Sequence, residues 1–119
     1  MQRLASWERS FRVWHYTVSY SQLLLRSVNI EGEESRIDIL FSNVERMDII
    51  CDFETLAIEK ISASEARSDF GLDIPRSATS HVFLLNHGDA YVQGTHCEWH
   101  EDLGGPRSPS KFGPLRGVE

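Results

Sequence analysis

Cysteine is scarce in this chain, long apolar runs are absent and basic residues are in the minority, and each shortage closes off a class of protein. The only two cysteines among 119 residues, Cys51 and Cys97, are too few for a disulfide framework and lie in no CxxC pair. A reduced, intracellular setting is therefore the default, with one bridge between them as the alternative. No apolar stretch approaches the ~20 residues that cross a bilayer, and the N-terminal Met-Gln-Arg-Leu-Ala-Ser-Trp-Glu-Arg-Ser has charges around its short apolar positions, unlike a secretory leader. The expected location is the cytoplasm, with no membrane association. The formal net charge is −6, with twelve acids against four bases over residues 31–73 and three bases against one acid over 103–119. Such a chain lacks the basic face that nucleic-acid binding uses. An acidic surface instead keeps a protein soluble and steers it toward basic partners.

Glycine and proline are sparse up to residue 102 and dense beyond it, where residues 104–119 hold three prolines and four glycines. This divides the chain into a single β domain over 1–102 and a flexible Gly/Pro-rich tail over 103–119, whose ordering entropy little burial offsets. Phe112 and Leu115 are the side chains through which that tail would dock.

Within the domain, the densest aromatic and β-branched run is Phe11 to Ile30, a composition that fits a pleated, half-buried surface. It reads as two consecutive strands. Arg12, Trp14, Tyr16, Val18 and Tyr20 alternate with Phe11, Val13, His15, Thr17 and Ser19, so both faces are partly apolar. Residues 1–10 form either one helical turn or an extended lead-in, with Leu4 and Trp7 covering the edge of the core. A turn over Glu31 to Ser35 leads to Arg36–Phe41, where Ile37, Ile39 and Phe41 face inward and Arg36 and Asp38 face water. Val44 to Cys51 also fits helical spacing at Val44, Met47, Ile50 and Cys51, but the β-branched and aromatic weight of Ile49 to Phe53 favours a strand; Glu54 to Ile61 continues as another, completing a meander. Ser62 with Glu65 three residues later makes a capping box for a short helix over about 63–70, ended by Gly71. His81–Leu85, a turn at Asn86 to Asp89, and Ala90 to Trp99 form an antiparallel hairpin. The fold class is mainly β, an antiparallel β-sandwich or flattened barrel of about seven strands with one short helix. Its expected core is Val13, Leu23, Leu25, Ile37, Ile39, Phe41, Ile58, Val82, Leu84 and Val92.

The polar cluster with the most chemistry is Gly94 to Asp102. On a strand, His96, Glu98 and His100 share one face, and two imidazoles with a carboxylate can hold zinc or another divalent transition metal. The spacing is not HExxH, and a strand nearing a polar tail commonly carries such residues on its wet side. Nucleophilic catalysis lacks a Gly-x-Ser-x-Gly elbow, and Cys51, between Ile50 and Asp52, reads as an inert buried thiol. Asp38, Asp48 and Asp52 read as solvated carboxylates, and His15 as a half-buried, hydrogen-bonded side chain. No catalytic residue and no cofactor are implied.

Two resemblances follow from these residues. Gly88-Asp89, Gly94 and His96 resemble the second motif of cupin barrels, which would imply a small metal-dependent enzyme. The proline before the glycine is missing, however, and no upstream HxH with a following Glu is present. The order Phe-Arg-Val-Trp, Leu-Leu-Leu-Arg-Ser, Arg-Ile-Asp-Ile-Leu-Phe over residues 11–61 resembles short bacterial mainly-β proteins that bring no assigned activity.

The functional expectation is a non-enzymatic protein-binding module of bacterial regulatory or immunity type, acting through its acidic surface or an open sheet edge. The alternative is a metal-dependent, cupin-like enzyme using His96, Glu98 and His100. Self-association is expected as well, because Leu23-Leu24-Leu25 beside Trp14 and Tyr16 needs cover on both faces. A homodimer through this hairpin would supply it, as would a second sheet of the same chain.

Overall fold

The computed structural model of the chain describes residues 1–27, 35–74, 80–105 and 110–112. Among the described residues ten strands follow one another as β1 (Gln2–Trp7), β2 (Phe11–Thr17), β3 (Gln22–Ser27), β4 (Arg36–Ser42), β5 (Arg46–Asp48), β6 (Asp52–Phe53), β7 (Leu56–Ile61), β8 (His81–Leu85), β9 (Ala90–Gly94) and β10 (His96–Asp102). The helix α1 (Ala63–Phe70) lies between β7 and β8. The strands form two five-stranded antiparallel sheets, β1-β7-β8-β9-β5 and β10-β4-β3-β2-β6, packed as a β-sandwich. The turn expected over Glu31 to Ser35, apart from Ser35 itself, and the segment that begins at Pro75 lie outside the described residues.

Alternation places the core. Phe11, Leu23, Leu25, Ile37, Ile39, Phe41, Phe53, Leu56, Ile58, Phe83, Leu85, Ala90 and Val92 fill the space between the sheets, with Leu4, Trp7 and Val13 at its margin. Val82 and Leu84, expected in the same core, point the other way. With Ile61, Ala66 and Ile74 they form a second cluster, under α1. The helix has the expected boundaries because its signals are local. Ser62 Oγ accepts from the Glu65 amide at 3.0 Å, the Glu65 carboxylate accepts from the Ser62 amide at 3.4 Å, and Gly71 ends the helix at φ 65°.

The middle strands do not make a meander. After β4 the chain turns at Asn43, in the left-handed region at φ 52°, and crosses to the other sheet as β5. It returns as β6 and crosses again as β7. The expected strand from Ala90 to Trp99 divides at Thr95 for the same reason. β9 ends beside β8, and β10 continues beside β4 in the opposite sheet. The two crossings run side by side, with the Glu45 amide donating to Gln93 O at 2.8 Å and the Thr95 amide to Ser42 O at 3.0 Å. Gly94 sits where they touch. A Cβ there would lie 2.8 Å from Ser42 O and 3.4 Å from Asn43 O, so no side chain fits.

Candidate functional site

β10 carries the predicted metal-ligating residues on one face. Its register pairs His96 with Ser42, Glu98 with Leu40, His100 with Asp38 and Asp102 with Arg36, so all four side chains lie on the outer face of their sheet. Their partners are local. His96 Nδ1 is 2.8 Å from Thr95 Oγ1, and His100 Nε2 is 3.9 Å from Asp102 Oδ2. Among the described residues no three His, Cys, Asp or Glu side chains converge on a point where a metal ion would sit. The cupin-like residues are likewise dispersed, with Gly88 and Asp89 before one end of β9 and Gly94 and His96 at and beyond the other.

The outer face behind β10 departs most from expectation. Arg36 and Asp38 do not face water. Asp38 is engaged by Arg26 of β3 through two hydrogen bonds, Nε to Oδ1 at 2.6 Å and Nη2 to Oδ2 at 3.0 Å, and the two side chains, Arg26 and Asp38, are only 4% and 2% exposed. The Arg26 guanidinium also lies 5.2 Å from the centre of the Trp14 ring, a cation–π contact. Arg36 makes the same bidentate pairing with Asp102, at 2.9 Å for both bonds, and donates to Gly105 O at 3.1 Å. These bonds hold the Asp102 carboxyl below its usual pKa, with a smaller contribution from the Gly104 amide. A Cβ on Gly104 would lie 2.5 Å from the guanidinium, so a side chain there would displace Arg36 from its carboxylate. A third buried arginine, Arg9, donates from Nε to Ser27 Oγ at 2.8 Å and from Nη2 to Ser35 O at 2.6 Å. It ties the β1–β2 connection to the ends of β3 and β4.

The tail also contributes. Residues 103–105 fold over Arg36, and Phe112 packs on Leu24 and Leu40, which are 4% and 6% exposed. The described part of the tail thus adds contacts to the domain, as the docking role foreseen for Phe112 requires. The same contact bears on Leu24. Its cover comes from within the chain, while the second sheet covers Leu23 and Leu25, and that removes the reason for placing a dimer interface on Leu24.

The tip of the β2–β3 hairpin is the part that sequence reasoning passed over. Tyr20 and Ser21 stand in the left-handed region at φ 62° and 44°, a conformation that is strained for an aromatic residue and persists only where surrounding bonds hold it. Here Ser21 supplies them. Its Oγ donates to Val44 O at 2.6 Å, its carbonyl accepts from the Val44 amide at 2.9 Å, and Tyr16 OH donates to its Oγ at 2.8 Å. The result is a fixed loop displaying Tyr16, Val18 and Tyr20, which are 40%, 86% and 62% exposed. A bulge between Val13 and His15 accompanies it and resets the expected alternation, placing His15 opposite Leu24. His15 is half-buried as foreseen, but its Nε2 has no hydrogen-bond partner among the described residues.

The remaining candidates are dispersed. Cys51 is exposed rather than buried, because residues 49–51 form the surface connection between β5 and β6; Cys97 is the half-buried thiol, packed against the core, with its pKa pushed up to about 12 mainly by desolvation. Several of the acids concentrated over 31–73 are already engaged. Asp38 pairs with Arg26, Asp52 with Arg12 at 2.6 Å, Glu65 caps α1, and Glu59 Oε1 lies 2.7 Å from His87 Nδ1. Among the described residues no helix is long and apolar enough to cross a membrane. Comparisons with protein-family models, with curated proteins and with solved structures returned no match.

Proposed function

We propose that the protein is a non-enzymatic, protein-binding module of bacterial regulatory or immunity type that acts in the cytoplasm. The observation that carries this reading is the fixed hairpin tip, with three exposed apolar and aromatic side chains on a backbone locked by Ser21. Tyrosine gives a large amphipathic contact area with little conformational entropy to lose, and a rigid loop reduces the ordering cost of association further. Two unpaired thiols support the reducing compartment. The acidic surface plays a smaller part, since several of the carboxylates, Asp38, Asp52 and Glu59 among them, are engaged within the fold.

The test is affinity capture from extract of the source cell with wild-type protein and a Val18→Asp/Tyr20→Ser variant whose circular dichroism matches wild type. A protein retained by the first and lost by the second supports the reading. Identical captured sets would reject the tip as the binding surface, and stoichiometric metal in the purified protein that His96→Ala abolishes would favour the metal-dependent alternative.

A further inference from the structure

The two sheets have four edges, and three are blunted. β1 is bulged between Arg3 and Ala5, and β5 is three residues long. β6 has two residues, and β2 beside it is bulged between Val13 and His15. β10 differs from all of them. Its seven residues run in unbroken register with β4 on one side, and among the described residues no backbone group bonds to them on the other. A long edge with no bulge and no proline is a template for another strand.

We propose that β10 pairs antiparallel with β10 of a second copy of this chain, about a two-fold axis at Trp99. An axis normal to the sheet keeps the even-numbered side chains of both copies on one face, because side chains alternate along a strand. In this register His96 faces the partner's Asp102 and Glu98 faces the partner's His100, so both distinct pairs on the outer face join an imidazole to a carboxylate. All seven residues are paired. Moving the axis to Glu98 sets Glu98 against its own copy. Moving it to His100 sets Glu98 against the partner's Asp102 and His100 against its own copy. Each shift leaves only five paired positions of the seven. The sequence His-Cys-Glu-Trp-His-Glu-Asp therefore selects one register by both length and charge.

The same alternation explains why a second copy fits better than a basic peptide, which would meet His96 and His100 at every other position of that face. Trp99 adds apolar contact at the axis. It is 42% exposed, and its ring stands edge-on to Trp7 at 5.7 Å, so the two-fold brings a pre-oriented indole from each copy together. Pairing joins the two copies of this sheet into one of ten strands and removes an exposed edge from each. This inference is independent of the hairpin-tip reading, which concerns β2 and β3.

Sedimentation velocity on the full chain tests it with two single variants, Glu98→Lys and His100→Glu. Wild type is expected at twice 13.6 kDa in the high micromolar range. Each variant alone loses attraction or gains repulsion at two symmetry-related pairs, raising the dissociation constant about tenfold or more. An equimolar mixture of the two should recover the dimer, because the lysine introduced at position 98 then faces the glutamate introduced at position 100. Circular dichroism checks that each variant is folded, with His100→Asp replacing His100→Glu if the latter is not. A wild-type mass of one chain up to millimolar concentration overturns the proposal. So does a dimer indifferent to both substitutions, or a mixture of folded variants that stays monomeric.

Discussion

The two outer faces of the sandwich are covered in different ways. Over β7, β8 and β9, the helix and residues 72–74 bury Ile61, Val82 and Leu84 with Ala66 and Ile74, an apolar cover made by neighbours in sequence. Over β3 and β4, two bidentate arginine–carboxylate pairs, an arginine stacked on Trp14, and Phe112 do the same work. Apolar burial is non-directional and tolerates repacking. Buried ion pairs tolerate neither the loss of one partner nor a change of geometry, and they add little net stability when intact. The helical side is thus expected to yield gradually to substitution, and the ionic side abruptly.

The sharpest way to break this contrast is Asp38→Ala, which leaves the Arg26 guanidinium buried without its carboxylate and is expected to cost about 3–5 kcal/mol in urea unfolding. Replacing both partners, as Arg26→Met/Asp38→Leu, is expected to come within about 1 kcal/mol of wild type or to exceed it. If the double variant is as unstable as the single one, the pair is worth more than its desolvation cost and the contrast fails. On the helical side, Leu84→Ala should cost about 3 kcal/mol, from lost burial and the cavity left behind. Phe112→Ala should cost about 1–2 kcal/mol, because this half-buried ring covers Leu24 and Leu40. Ser62→Ala removes the capping box for about 1 kcal/mol, read as a small drop in melting temperature.

Acid separates the two sides without mutation. The Asp102 pKa is depressed in the folded state, chiefly by its hydrogen bonds from Arg36. Its contribution to stability is therefore fully present above the unfolded carboxyl value of ~4, and is lost as pH falls through the lower folded value. Urea midpoints of wild type and Asp102→Asn should differ at neutral pH and converge in strong acid; a constant difference would assign the effect to packing. The smallest effect concerns the thiols. With Cys51 exposed and Cys97 half-buried and held protonated at neutral pH by its raised pKa, Ellman's reagent should titrate one thiol quickly in the native protein and two after unfolding.

The contrast also marks what could be read from the residues alone. The alternation of Arg36 to Phe41 gives β4 and its inward Ile37, Ile39 and Phe41, and Ser62 with Glu65 gives the helix start, because both patterns are complete within a few residues. The same alternation misassigns Arg36 and Asp38 to water. Periodicity says which side chains share a face but not what covers that face, and the partner of Arg36 is 66 residues away. The division at Thr95 is hidden for a similar reason: Gly94 is required by the approach of Ser42 O, a contact that its neighbours in sequence do not encode. That His96, Glu98 and His100 lie on one face was legible, whereas the register with Leu40 and Asp38 that defines their surroundings was not. The hairpin tip left a faint signal. Tyr-Ser at a turn, where glycine or asparagine is favoured, marks a backbone held by something outside the loop.

The order β10-β4-β3-β2-β6 has a consequence for synthesis on the ribosome. β2, β3 and β4 emerge in succession and can zip together at once, but the free side of β4 waits for β10. At about 5–20 residues per second, the roughly fifty residues between these two strands take about 3 to 10 seconds to make. Throughout that interval Ile37, Ile39 and Phe41 sit on an unguarded strand whose natural neighbour does not yet exist, and whatever reaches it first competes with the end of its own chain.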